Sequence, residues 1–267
     1  MASPHLAPVQ RRSFGTLRTI SALMLREMAT TYGRSPGGYI WAILEPVGAI
    51  VILSLAFSLI LRSPSLGTNF AMFYAAGYLP FSLYTTLSAK ISQSIRFSRP
   101  LLAYPSVTYM DAILARLFLN LLTQITVFYI IIIGLHLIYD LRTIFDFSAI
   151  ALSLAMAAAI SVGVGVMNCF LISIIPIWES IWLIVNRPLF ILSGILYIYE
   201  DLPPIGQDYL WYNPLMHVTG VMRTGFYSTY DAPYVSVTYH FSISLVLTVL
   251  GLILLGRYHR YILNEKR

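Results

Sequence analysis

Charged residues are scarce in this sequence. Only 10% of the 267 residues are Asp, Glu, Lys or Arg, whereas 58% are hydrophobic and the mean hydropathy is +0.74. Soluble domains contain about 25% charged residues, so this composition excludes an ordinary soluble protein and predicts an integral membrane protein. The single cysteine, Cys169, excludes an internal disulfide framework. The net charge of +6 does not indicate a nucleic-acid partner, because the charges collect at the ends of apolar runs.

Motifs for nucleotides, metals and catalysis are also missing. The sequence has no GxxxxGK[ST] phosphate loop, and its five histidines and one cysteine lack metal-ligand spacing. No Ser/His/Asp arrangement can be argued across opposite faces of a membrane. Residues 1–12 contain two prolines and no apolar run, so we do not expect a secretory signal there. We therefore expect this chain to bind no metal or cofactor and to have no catalytic residue.

Six apolar stretches dominate the rest of the chain. They lie at about 38–61, 70–90, 112–138, 148–174, 178–197 and 239–256. Twenty apolar residues in a helix cross the roughly 30 Å hydrocarbon core. The first stretch holds one charge, Glu45, and Trp41 at its entrance suits the headgroup boundary. The predicted fold is all-α, with six transmembrane helices in one membrane domain covering 36–267.

The segment before these stretches is a predicted amphipathic interface helix, 14–35, preceded by a cytoplasmic tail, 1–13. At 100° per residue, its apolar arc contains Phe14, Leu17, Ile20, Met24, Leu25, Met28 and Tyr32. Its polar arc contains Arg18, Thr19, Arg26, Glu27 and Thr30, with Leu23 misplaced among them. This pattern predicts a helix in the membrane interface, with its apolar face in lipid and its basic face toward anionic headgroups.

The distribution of Lys and Arg predicts the orientation. Twelve lie in the N-terminal arm, after the second stretch and in the C-terminal tail, whereas three lie on the opposite side. The positive-inside rule therefore places both termini in the cytoplasm, and an even number of spans agrees. We expect a multi-pass protein of the bacterial inner membrane.

Three polar features lie inside the predicted spans. Glu45 and Arg187 lie at similar depth, and we hypothesise that they pair at the inner mouth of a pathway, or that they form a purely structural bridge. A stripe in the third stretch either lines a conduit or holds helices together; it contains Arg116, Asn120 and Gln124. A stripe of small residues in the fourth stretch predicts close helix packing; it contains Ser153, Ala157, Ser161, Gly165 and Cys169.

The loop at 197–239 is rich in aromatic residues and contains eight of the 19 tyrosines. Within it, 213–228 indicates a short amphipathic helix, which predicts a re-entrant or surface-lying hairpin on the outer leaflet. The rings fit an ordinary aromatic belt at the interface. They also fit an exit that holds sugars weakly, because sugars have apolar C–H faces and hydroxyl rims.

Two segments, taken together with their separation along the chain, suggest a family: GYIWAILEP at 38–46 and YNPLMHVTGVMRTGFY at 212–227. With the basic helix before them and ILSGILYIYEDLP at 191–203, they resemble the membrane subunit of type-2 ABC exporters, specifically the capsular polysaccharide permeases of the KpsM kind. O-antigen and teichoic acid permeases share this architecture. The resemblance covers nearly the whole chain.

The resemblance implies a homodimer with the pathway between its copies, powered by a separate cytoplasmic ATPase that binds ATP and Mg. It also implies a periplasmic co-polymerase, an outer-membrane exporter and a lipid-linked acidic glycan as substrate. The expected substrate-pathway residues are Trp41, Glu45, Arg187, Tyr197, Tyr199, Trp211, Tyr212, His217 and Arg223. The expected ATPase-docking residues are Arg18, Arg26, Glu27, Tyr32, Arg96, Arg99, Pro100, Tyr104 and Pro105.

The expected function is therefore export of lipid-linked capsular polysaccharide from cytoplasm to periplasm. Alternatives with the same architecture are export of an O-antigen or teichoic acid glycan, or of a drug or small lipid. An ion-coupled carrier would require buried carboxylates near mid-membrane and repeated halves, and only Glu45 is a candidate. A membrane-embedded transferase would require paired carboxylates or a metal cluster at one face.

Overall fold

The computed structural model describes residues 15–32, 37–104, 107–139 and 145–264, and all regular secondary structure in these ranges is helical. Its α-helices are α1 Gly15–Glu27, α2 Ile40–Ser58, α3 Phe70–Ser92, α4 Ser94–Ser98, α5 Tyr109–Tyr139, α6 Phe147–Ile174, α7 Trp178–Leu192, α8 Pro204–Leu210, α9 Pro214–Phe226 and α10 Val237–Asn264. A π-helical turn, Met28–Tyr32, continues α1, and a 3-10 turn, Tyr199–Asp201, precedes α8.

Four of these helices are long and apolar enough to cross a membrane: α2, α5, α6 and α10. The prediction of an all-α membrane protein is confirmed for the described residues, and the bounds of the second, third and fourth stretches agree with the helices to within three residues. α3 has 23 residues, but three Ser, two Thr and one Lys make it more polar than the apolar stretches of those four helices. α7 has only 15 residues, which is about 22 Å of helix and less than the hydrocarbon thickness.

Asparagine or aspartate side chains cap the N-termini of three of the helices. The Asn69 carboxamide oxygen accepts a hydrogen bond from the Met72 amide at 3.1 Å, and the Asp146 carboxylate accepts from the Ser148 amide at 2.9 Å. Asn213 accepts from the Leu215 amide at 3.1 Å, just before a proline in the first turn of α9. Each side chain satisfies an amide that has no partner inside its helix.

The fifth stretch is not helical to its predicted end at 197, because α7 ends at Leu192. Gly194 adopts φ +69° in the next residues, and a Cβ atom there would lie 2.6 Å from the sulfur of Met216 in α9. A backbone in this conformation favours glycine and cannot continue a right-handed helix. The chain therefore leaves the helix where α9 packs against it.

The broken end of α7 leaves carbonyl groups that the helix no longer satisfies, and side chains of α9 and its cap bind them. Asn213 donates to the Leu192 carbonyl at 2.8 Å, and Thr219 donates to the Ser193 carbonyl at 2.8 Å. Arg223 donates to two further carbonyls, those of Ile195 and Tyr197, at 3.2 and 2.6 Å. Unpaired backbone groups are costly away from water, so α9 is what makes the break in α7 tolerable.

α6 is the central helix of the bundle, and it packs against α3, α9 and α10. The small-residue stripe that the sequence predicted for packing serves that purpose: a Cβ atom on Gly165 would lie 2.7 Å from Cβ of Ile91 in α3. Ser153, in the same stripe, donates a hydrogen bond to the Val218 carbonyl of α9 at 2.7 Å. Small side chains let these helices approach closely, which is how helices associate in lipid.

α9 lies along α6 rather than flat on the end of the bundle. The imidazole of His240 lies 2.8 Å from the Met156 carbonyl and 3.0 Å from the Pro214 carbonyl, so the start of α9 is level with Met156. Met156 is nine residues into α6, or about 14 Å along the axis. α9 then rises until the Gly225 carbonyl accepts from the Asp146 amide at the start of α6.

We name the two ends of the bundle by what they carry. The basic end comprises α1, α4 and the turn at 175–177 between α6 and α7. The aromatic end comprises α8, α9 and the loop at 227–236. α3, α6 and α10 run from the aromatic end to the basic end.

The N-terminal helix is docked on the bundle, which corrects one prediction. Ile20 and Leu23 are buried against Ala115 of α5, and Glu27 is also buried. The predicted polar arc therefore does not face headgroups at Leu23 and Glu27, because α5 covers that side. Leu17 and Leu25 are more than 60% exposed and keep an apolar face free for lipid.

We expect Gly165→Ala to destabilise the protein by about 1–3 kcal/mol, because the new methyl group would overlap Ile91 in a filled interface. The matched control is Gly134→Ala in α5, where nothing lies within 4 Å of an added Cβ. Thermal unfolding in detergent, followed by tryptophan fluorescence, measures both. Equal unfolding midpoints for the two variants would contradict the packing argument.

Candidate functional site

An open aromatic pocket of about 410 Å³ lies at the aromatic end. It is lined by Tyr199, Asp208, Tyr209, Trp211 and Tyr212. Tyr209 and Tyr212 are 76% and 67% exposed, so their rings present flat faces to the surroundings. The structure thus brings together three residues of the predicted pathway, which the sequence places up to 13 positions apart.

The pocket is held by contacts with the loop before α10. The ring of Tyr199 stacks on Tyr234 with centroids 4.0 Å apart, and the Trp211 indole donates to the Tyr234 carbonyl at 2.9 Å. The Tyr199 hydroxyl donates to the Gln207 carbonyl of α8 at 2.9 Å. The pocket walls are therefore fixed, while the rings of Tyr209 and Tyr212 remain exposed.

Three tyrosines around this pocket, Tyr199, Tyr230 and Tyr234, have a raised pKa. Burial raises the pKa of Tyr230, whose hydroxyl donates to the Glu200 carboxylate at 2.9 Å. Burial also raises the pKa of Tyr199 and of Tyr234. These phenols are uncharged at neutral pH and act as hydrogen-bonding groups.

Two predicted pathway residues, His217 and Arg223, are buried and make contacts within the fold. His217 accepts a hydrogen bond at Nδ1 from the Ser236 amide and donates from Nε2 to the Trp211 carbonyl at 2.8 Å. Arg223 is 1% exposed, and its guanidinium lies 4.4 Å from the centre of the Phe73 ring. Its Nη1 and Nη2 groups donate to the Tyr197 and Ile195 carbonyls, which gives Arg223 a role in the fold, and its place on the substrate pathway stays a prediction. Tyr197 is half-buried beside it.

Glu45 and Arg187 do not form an ion pair within the described chain, which contradicts the pairing hypothesis for a single copy. Both side chains are exposed, as is Trp41 at the start of α2. Arg187 instead lines an open pocket of about 420 Å³ on α7 and α3, with Phe81, Leu183, Asn186 and Phe190.

At the basic end, a buried ion pair joins α1 to α5. Glu27 Oε2 lies 3.3 Å from Nε of Arg116, and both side chains are at most 5% exposed. Arg116 donates to the Lys90 carbonyl at 2.7 Å, and its guanidinium lies 4.1 Å from the centre of the Phe97 ring in α4. Glu27 is therefore not available for docking, since α5 covers it. Within the predicted stripe, Arg116 alone reaches other helices; Asn120 donates to the Arg116 carbonyl of its own helix at 2.8 Å, and the role of Gln124 stays a prediction.

Other predicted docking residues lie on an accessible surface. Arg18 and Arg26 line a groove of about 410 Å³ between α1 and the segment after α4. Pro100 and Tyr104 of that segment are exposed, and Arg99 is half-buried. The side chain of Tyr32 and all of Pro105 lie outside the described residues.

Arg96 links α4 to the neighbouring turn. Its guanidinium donates to the Glu179 carboxylate at 2.7 Å, and the two side chains are 59% and 33% exposed. This contact connects the segment after α3 to the first turn of α7.

Most of the bundle matches a known family of membrane proteins. The family model described as ABC-2 type transporter matches residues 18–227 of this chain. The chain belongs to the ABC-2 type transporter family. This family consists of transporter membrane subunits, which agrees with the absence of a phosphate loop from the sequence.

Curated relatives of this ABC-2 protein include three kinds of bacterial transport protein. The polysialic acid transport protein KpsM of Escherichia coli is 28% identical over 236 residues, covering 88% of this chain and 92% of the relative. The capsule polysaccharide export inner-membrane protein CtrC of Neisseria meningitidis is 26% identical over 243 residues, covering 91% and 92%. The capsule polysaccharide export inner-membrane protein BexB of Haemophilus influenzae is 23% identical over 244 residues, covering 91% and 92%.

Sequence reasoning missed two residues that position this site in the ABC-2 protein. His240 joins α6, α9 and α10 through two carbonyl contacts, and no local pattern around it indicates that role. Asn213 caps α9 and also binds the end of α7. The sequence Asn-Pro at the start of a helical pattern signals the cap, but not the contact with Leu192.

We expect Glu27→Gln to destabilise the protein by about 3 kcal/mol, because Arg116 would remain buried without its counter-charge. The control is Arg18→Gln on the same helix, whose side chain is exposed, and which we expect to change stability by less than about 0.5 kcal/mol. Thermal unfolding in detergent compares the two. The double variant Glu27→Gln/Arg116→Met should recover part of the loss, because no charge stays buried; wild-type stability of Glu27→Gln would refute the pair.

Proposed function

We propose that this chain is the membrane permease subunit of an ATP-driven exporter that moves lipid-linked capsular polysaccharide from the cytoplasm to the periplasm. One observation carries the proposal: an ABC-2 membrane protein has full-length similarity to proteins named for transport of polysialic acid and export of capsule polysaccharide. Because 92% of each of these relatives is covered, the similarity extends beyond a shared fragment.

The proposed topology has six crossings, with α3 and α7 as the remaining two. Most of α3 is buried among other helices, so its polar residues need not face lipid. α7 is completed by the segment at 193–198, which runs beside α9 and is satisfied by its side chains. The depth at which α9 begins supports a re-entrant hairpin formed by α8 and α9. The basic end then faces the cytoplasm with both termini.

The proposed assembly is a homodimer whose pathway lies between the two copies. α7 has no buried residue in the single chain, and α2 has only two, Pro46 and Ile50. Large apolar side chains cover these faces, and contiguous exposed apolar surface of this kind marks an interface or a lipid boundary. A pathway lined by α2, α3 and α7 of both copies places Trp41, Glu45 and Arg187 along it.

The proposed energy source is a separate cytoplasmic ATPase, which binds ATP and Mg in place of this chain. Its docking surface is the groove that holds Arg18 and Arg26, together with the segment from Arg96 to Tyr104. Movement of the ATPase would displace α1 and α4, and the contact between Arg96 and Glu179 passes that movement to α7. A periplasmic co-polymerase and an outer-membrane exporter complete the proposed system.

The aromatic pocket is the proposed exit. Rings of Tyr209 and Tyr212 offer flat apolar faces, and Asp208 and the phenol groups offer hydrogen-bond partners. Sugars have C–H faces and hydroxyl edges that fit such walls. Because the pocket is open, binding there is weak enough for the glycan to pass stepwise.

Deletion of this chain should abolish surface capsule, and re-expression should restore it, as measured by immunostaining with an anti-capsule serum. Altered tolerance to drugs with normal capsule would favour export of a small molecule instead.

The purified chain alone should not hydrolyse ATP in a phosphate-release assay, whereas the chain with its ATPase should. ATP hydrolysis by the isolated chain would refute the division of labour.

We expect Tyr209→Ala/Tyr212→Ala to reduce export about fivefold or more without unfolding the protein, because each exposed ring contributes about 1 kcal/mol to contact with the passing sugar. The matched control is Tyr129→Ala, which removes an exposed ring from the side of α5. Surface polysaccharide per cell and the thermal unfolding midpoint are measured together. Export unchanged in the double variant would exclude this pocket from the pathway.

A further inference from the structure

A second pocket, on the face of α7, has the composition of a binding site. It is lined by Phe81, Leu183, Asn186, Arg187 and Phe190 and has a volume of about 420 Å³. Arg187 is nine residues past the first residue of α7, or about 14 Å along the helix. Ionisable groups at such a depth are costly and mark pathways or specific partners.

The polar groups of this pocket are left without partners by the described part of the chain. Arg187 makes no ion pair there, although its guanidinium has five N–H donors. Asn186 Oδ1 is buried and accepts no hydrogen bond. One strong cationic donor therefore lines the opening, and the orphan acceptor lies on the adjacent residue, where a rotation of the Asn186 side chain would turn it into the opening.

Two aromatic rings also line the pocket and are held in place, one from α3 and one from α7. Phe190 meets Phe81 edge to face, with centroids 5.7 Å apart, and meets Tyr78 at 6.3 Å. Rings fixed in this way present an apolar face beside the guanidinium. A ligand that fits has an anionic group, a hydroxyl donor and a flat apolar face together.

We propose that this pocket binds an anionic group of the transported glycan, with Arg187 as the counter-charge and Asn186 as the hydroxyl acceptor. This inference rests on the proposed function, since it places α7 along the pathway. Arginine binds carboxylates and phosphates through two parallel hydrogen bonds. The anion is either the carboxylate of an acidic sugar or the phosphate of the lipid anchor, and Phe81 and Phe190 pack against the adjoining apolar part.

Binding to the full-length protein in detergent tests the proposal with three probes: hexagalacturonate, maltohexaose and farnesyl phosphate. Arg187→Gln should weaken binding of hexagalacturonate about tenfold or more, equivalent to about 1.4 kcal/mol, and leave maltohexaose unchanged. Arg187→Lys should retain part of the affinity, because it keeps the charge and loses the fork. Arg62→Gln, which removes an exposed cation outside the pocket, is the control.

The remaining variants separate the two anions. Asn186→Ala should weaken hexagalacturonate binding and not farnesyl phosphate binding, because only the sugar has hydroxyl groups. If Arg187→Gln weakens farnesyl phosphate binding alone, the site takes the phosphate of the lipid anchor. Equal binding of both acidic probes to wild type and Arg187→Gln, or binding of neither probe to the wild type, overturns the proposal.

A charge-reversal pair tests the competing arrangement, in which Arg187 pairs with Glu45 between two copies. Capsule export is measured for Arg187→Glu alone and with Glu45→Arg. Rescue by the second change shows an ion pair and overturns the proposed site; no rescue supports it. If the wild-type chain does not restore capsule in the deletion strain, the proposed function fails. If export is normal but Arg187→Gln binds both acidic probes as tightly as the wild type does, only the anion site is excluded.

Discussion

The structure depends on how the chain satisfies the carbonyl groups at the broken end of α7. In a bilayer, backbone groups that leave a helix need partners from the protein itself. Here α9 and its cap supply them, through Asn213, Thr219 and Arg223. The break lies where α9 packs against Gly194, and α9 also packs along α6.

This arrangement separates two arginines that look alike in the sequence. Arg223 is buried with its donors directed at carbonyl groups, so its charge stabilises the fold. Arg187 lies on the exposed face of α7 beside an orphan amide oxygen, so its charge remains available. Burial, and not residue type, distinguishes the two side chains.

At the basic end, contacts of one buried arginine, Arg116, hold three helices together. α1 is attached to α5 by the buried pair of Glu27 and Arg116, and Phe97 of α4 covers the same guanidinium. A charge pair without water is costly to separate, so α1, α4 and α5 should move together. Arg96 extends this unit to the first turn of α7 through Glu179.

Much of the fold follows from local sequence patterns. Long apolar runs predict α5 and α6 nearly to their ends, and the small residues of α6 predict close packing, because helix length and helix surface depend on nearby residues alone. Asp146 and Asn213 likewise signal helix starts. Tyr199, Trp211 and Tyr212, which are close along the chain, line one pocket, and their place on a substrate pathway stays a prediction.

Only the tertiary structure decided the partners of groups that are distant in sequence. Glu27 and Arg116 are 89 positions apart, and no periodicity indicates that they meet. The end of α7 depends on the shape of α9, which packs against Gly194. A helical pattern shows which residues share a face. Which face is covered depends on helices from other parts of the chain, so the contacts of Glu27, His217 and Arg223 could not be predicted from the sequence.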